Sequence, residues 1–217
     1  MDALPAGIRG CISDSVLRPP CRVAVTSLSA FALLLVCTPR VGDVMSFSLY
    51  DATVPTFCQI LGAVEGLLDK AAAHCAEKGI APETLIQARL APDMFTFAYQ
   101  VKSTAVHSLG AIEGVRRGVF SPDLVPPPED FPTLKAQVSG ALATLQALSP
   151  GEVNGFIGRD MRFEFRELRI DFTAENFLLS FSQPNFFFHA TTAYDVLRWQ
   201  GVAIGKMDFL GRLRRKA

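Results

Sequence analysis

The sequence predicts an all-α protein, a four-helix bundle with one small β-hairpin placed before the last helix. Three observations predict it. Four segments carry apolar residues at helical spacing, each bounded by capping or breaking residues. One stretch between the third and fourth of them switches to strict alternation, the period of a strand. The chain of 217 residues is 49% hydrophobic and 19% charged, which suits one compact domain with a generous core.

The first helix is expected to be capped by Thr53, with Pro55 in its first turn. Phe57, Leu61, Val64, Leu68, Ala71 and Cys75 form its apolar stripe, and Gly79 ends it. A short helical piece follows around Glu83 to Leu90. Pro92-Asp93 is expected to open the second long helix, which runs to about Gly118. Ser121 to Glu129, with three consecutive prolines, reads as a stiff extended connection. Asp130 can cap the third helix, with Pro132 in its first turn. Its stripe is Leu134, Val138, Leu142 with Ala141, Leu145 and Leu148, and Ser149-Pro150-Gly151 stops it.

The period then changes. Met161, Phe163 and Phe165 alternate with Arg162 and Glu164, and Leu168, Ile170 and Phe172 alternate with Arg169 and Asp171. That pattern is a hairpin turning at Arg166-Glu167, a dipeptide ill suited to a primed turn. Thr173 caps the fourth helix, Glu175 sits in its first turn, and Gly201 closes it after Gln200. A lone hairpin is unstable in water and must pack on the helices.

Charge excludes little and suggests less. Lysine and arginine balance aspartate and glutamate at 21 each, so nothing forces a face toward phosphate, and nucleic-acid binding is not expected. The basic tail, residues 212–217, reads as a solvated end. Five cysteines include no C-x-x-C pair, so neither a zinc ribbon nor a redox motif is supported, and a reducing, cytoplasmic setting fits best. Residues 1–44 look foreign to the rest. They hold Pro19-Pro20, scattered arginines and a 15-residue apolar run, Val23 to Cys37, short for a membrane span. Three readings stand for them: a mis-assigned start with translation opening at Met45, a signal peptide, or an anchor. A membrane role for the domain itself is not expected.

The polar residues that face inward carry the functional reading. On a helical wheel of the second helix, Lys102, Glu113 and Arg116 gather on a wet side, and His107 lies opposite among Gln100, Ser103, Thr104, Ala111, Gly110 and Gly114. On the fourth helix Asp195 and Arg198 mark the wet side, and Asn185 and His189, one turn apart, lie opposite. Two helices thus turn a histidine toward the bundle interior. A buried imidazole needs partners for both ring nitrogens, and leaving one unpaired costs about 1–3 kcal/mol. These groups either satisfy one another or hold an ion or ligand. Pro184 interrupts the helix just before Asn185, removing the usual donor of the Ser180 carbonyl. The kink either opens a pocket at Asn185 or fits the helix around the hairpin. His74, near the end of the first helix, suits the helix dipole.

Four stretches resemble a known family: Ser48-Leu-Tyr-Asp-Ala-Thr-Val-Pro, Ala88-Arg-Leu-Ala-Pro-Asp-Met-Phe, Pro184-Asn-Phe-Phe-Phe-His-Ala-Thr-Thr-Ala-Tyr and Gly205-Lys-Met-Asp-Phe-Leu-Gly. Together they are similar to a domain-of-unknown-function family in the DinB/YfiT-like superfamily of proposed metalloenzymes, over about residues 45–211. The resemblance implies a bundle whose divalent metal, zinc or nickel, is held by three histidines, one from the second helix and two from an H-x-x-x-H on the fourth. His107 matches the first place and His189 the last. Asn185 stands where the middle histidine would be, which implies a weaker site. The superfamily includes thiol-dependent transferases and isomerases, so a small-molecule or thiol ligand is one expectation.

Three functions follow. The chain is a metal- or ligand-binding protein built on His107, Asn185 and His189, whose catalytic groups are not evident. Alternatively it is a non-catalytic bundle with a degenerate site. Or it is a dimerisation module, a homodimer in which a partner covers Phe187, unless the hairpin covers it. No nucleophile elbow, P-loop or dinucleotide fingerprint is present.

Overall fold

Helix α1 spans Leu49–Lys78. Its start is a capping box, not Thr53. The Ser48 hydroxyl accepts from the Asp51 amide, and the Asp51 carboxylate accepts from the Ser48 amide at 3.1 Å. Thr53 lies inside the helix, its hydroxyl donating back to the Leu49 carbonyl at 2.7 Å. Ser48 wins because its reciprocal partner stands three residues on, whereas Thr53 has none. The expected stripe is buried throughout, and Gly79 closes the helix with φ 64°, the left-handed conformation that glycine adopts without strain.

The computed structural model describes residues 47–216. The readings of residues 1–44 lie outside the described residues. After the short α2, Pro82–Ile86, the second long rod begins later than Pro92-Asp93. Thr96 caps it, its hydroxyl accepting from the Tyr99 amide. The rod comprises α3, Phe97–Ala105, a π-helical turn, Val106–Gly110, and α4, Ala111–Arg117. Helix α5, Phe131–Gln146, is capped by Asp130 as expected, and α6, Pro150–Asn154, follows. The fourth rod comprises α7, Ala174–Asn176, a second π turn, Phe177–Ser182, and α8, Gln183–Trp199. A short α9, Lys206–Leu210, ends the domain. Helix α1 lies against α5 and α9, and α3 lies against α8.

The hairpin forms as expected, β2 (Asp160–Phe165) against β3 (Leu168–Thr173) with Phe165 opposite Leu168. Arg166 bears the turn at φ 53°, an uncommon conformation for a side-chain-bearing residue. A two-residue strand β1, Val119–Phe120, adds to β2 in parallel, a feature too short to announce itself by alternation. It brings Phe120 into the core beside His107. Gly114 on α4 makes the approach possible. A Cβ there would lie 3.1 Å from Phe120 Cβ and Cδ2.

Lys102 overturns its assignment to the wet side. It is 3% exposed. Its ammonium meets the Asp123 carboxylate at 2.9 Å and the Val125 carbonyl, so it ties the proline-rich segment to α3. Every residue from Gln100 to Ala105 is buried, so α3 has no wet side at this level, and residues 123–125 cover the side on which Lys102 stands. Among the described residues no helix is long and apolar enough to cross a membrane.

Candidate functional site

Both π turns lie close to candidate site residues. His107 lies within the first, and the second ends three residues before Asn185. A π turn is rare and is enriched at functional sites, because its widened ladder redirects side chains. Here the two turns face each other. The Ser182 hydroxyl, from the second, donates to the His107 carbonyl in the first at 2.7 Å.

The second turn also answers Pro184. The Gln183 amide bonds five residues back, to Leu178, and Pro184 then falls in the first turn of α8, where a missing N–H costs little. The carboxamide nitrogen of Asn185 donates to the Phe181 carbonyl at 2.7 Å. The Asn185 amide thus folds back onto the turn that precedes it. Its Oδ1 accepts from no protein group among the described residues.

The two imidazoles do converge. Their centroids lie 5.4 Å apart with planes 16° from parallel. Phe120 and Phe181 pack on His107 at 5.6 and 6.1 Å, and Tyr99 meets His189 edge-on at 6.1 Å. This apolar wall disfavours charge. Burial, and then the neighbouring His189, push the His107 pKa down to about 3, and burial pushes His189 down to about 4. Both rings are neutral near pH 7.

The protonation of His189 follows from its neighbours. Gln100 is buried, and its Nε2 donates to the Phe95 carbonyl at 3.2 Å. Its Oε1 therefore faces His189 Nδ1, 2.7 Å away. An oxygen can only accept, so Nδ1 carries the proton and Nε2 keeps a lone pair. This is how a metal-binding histidine is ordinarily oriented, its far nitrogen fixed by a hydrogen bond. His107 is the opposite case. Its Nδ1 is buried with no partner among the described residues.

Sequence reasoning brought His107 and His189 together correctly and placed Gln100 near them. It missed the Gln100–His189 bond, because a wheel gives faces and not pairings across helices. It missed Ser182 for the same reason. Phe187, the ring that a partner or the hairpin was expected to cover, is half-buried and packs on the core. The exposed ring of that trio is Phe188, at 58%. Arg214 in the basic tail reaches back to the Thr56 hydroxyl at 3.1 Å. Among the described residues no three His, Cys, Asp or Glu side chains gather as a metal cluster.

The rods, the hairpin before the last of them and the paired inward histidines define a DinB-like four-helix bundle. A crystal structure of a DinB family member protein from Shewanella denitrificans matches with a TM-score of 0.65 and 26% identity, over 78% of this chain and 95% of that one. The profile of the family "Domain of unknown function (DUF1993)" matches residues 49–210, and the chain belongs to that family. No curated protein matches it.

Proposed function

We propose that the bundle binds a divalent metal, zinc or nickel, at His107 and His189, with the Asn185 oxygen as a weaker third ligand. One observation supports this above the rest: two neutral imidazoles stand side by side, one with an unpartnered buried nitrogen and one with a lone pair left on Nε2. Neutral imidazole is the form a metal requires, and desolvation keeps it available well below neutral pH. The donor set fits such an ion in kind, with two nitrogens and a neutral oxygen, and it is one imidazole poorer than a strong zinc site. A bound metal would supply Lewis-acid activation of water or of a thiol ligand. The chain's own contribution is to hold His189 in one tautomer through Gln100 and to exclude water with Phe120, Phe181 and Tyr99.

The test is metal content of the untagged chain, before and after His189→Ala. Near-stoichiometric zinc or nickel that is lost in the variant supports the reading. No uptake, with no thermal shift on adding either metal, refutes it. A second reading has its own support in the Asn185 bond to Phe181, which gives that side chain a structural task. In that reading the bundle is non-catalytic and a buried water joins the two rings.

A further inference from the structure

A cavity of about 420 Å³ opens between the turn before α3 and the proline-rich segment, residues 123–129. One wall carries an aromatic face. Phe95 is 63% exposed and stacks on Tyr99, with centroids 4.0 Å apart and planes at 18°. A large ring held open to solvent on a second ring is a ready surface for a flat ligand. Arg89 and Glu129 also line the cavity. Neither makes an ion pair among the described residues. Asp123 also lines the cavity, but Lys102 takes up its charge. The lining thus offers an aromatic platform together with one available cation and one available anion.

We propose that this cavity binds a small aromatic zwitterion of the amino-acid type. Its ring lies on Phe95 and Tyr99, its carboxylate meets Arg89 and its ammonium meets Glu129. The volume is near the low end of the range of about 300–1,000 Å³ for small-molecule sites, which suits a ligand of that size. An aromatic acid would bring its charge toward Glu129 with nothing to answer it, and an aromatic amine would do the same toward Arg89. Both charged partners are exposed, so each contributes modestly and binding is weak. Occupancy would be felt at the histidines, because Gln100 bonds the Phe95 carbonyl on one side and His189 on the other.

The experiment titrates the full chain, in chelator, with L-phenylalanine, 3-phenylpropionate and phenethylamine, and reads amide shifts by NMR. Chelator separates this site from any metal at the imidazoles. The expected result is saturable shifts at Phe95 and Tyr99 that are tightest for L-phenylalanine. Arg89→Gln and Glu129→Gln should each weaken that binding about two- to five-fold. Phe95→Ala should abolish it while leaving the unfolding midpoint in place. No saturable shift with L-phenylalanine overturns the proposal. So does equal binding of either singly charged analogue, or indifference to both charge substitutions.

Discussion

Gln100 decides what His189 can do. Its amide is locked by the Phe95 carbonyl, so it can offer His189 only an oxygen. Gln100→Glu replaces that oxygen by a carboxylate at the same place. An opposite charge at hydrogen-bond distance favours the imidazolium, so the His189 pKa should rise by about 1–3 pH units. An NMR pH titration of the histidine ring protons reads this directly. A pKa that stays near 4 would show that Gln100 does not face the ring. At this scale the sequence was legible in part. Inward-facing His107 and His189 followed from spacing alone. The Asn185 bond to Phe181 did not, because an amide folded back on its own helix and a metal ligand occupy the same position on a wheel.

The elements carry the constraints that spacing hides. Helix starts were misplaced by a few residues wherever a capping side chain had a competitor, as Thr53 did with Ser48 and Pro92-Asp93 with Thr96. The hairpin was read correctly because alternation is local. Strand β1 and both π turns were not, since each depends on what packs against it. Gly114 shows the packing. Gly114→Ala would improve helix propensity, yet its methyl would press Phe120 at 3.1 Å. The expected balance is a loss of about 1–2 kcal/mol in chemical denaturation, and a gain would show that the contact is slack. Lys102 offers a second check. Asp123→Asn leaves a buried ammonium with only carbonyl partners, which should cost about 1–3 kcal/mol. Urea denaturation of the variant against wild type measures it, and an unchanged midpoint would mean that the pair is too well hydrated to count.

For the whole molecule, fold class and chain order were legible because helical stripes, caps and one change of period agree with one another. The pairing of surfaces across the bundle was not, and the site lives there. Two depressed histidines also give the metal-free protein a signed pH response. Their folded pKa values, about 3 and about 4, lie below the unfolded value of 6.5. Between those limits the unfolded chain binds more protons, so stability falls as pH drops below about 6.5 and the loss levels off near pH 3–4. The ceiling is about 1.4 kcal/mol per pH unit for each ring, and partial exposure of both side chains moderates it. Midpoints measured at pH 7 and pH 5 test this, and equal values would contradict it.

The most direct measurement is nitrogen-15 NMR of the histidine rings at pH 7, first in chelator and then with one equivalent of zinc. Both rings should be neutral, with His189 protonated on Nδ1, and zinc should move the resonances of His107 and His189 together while leaving His74 in place. A His189 ring protonated on Nε2, or a pair untouched by zinc, would contradict the account.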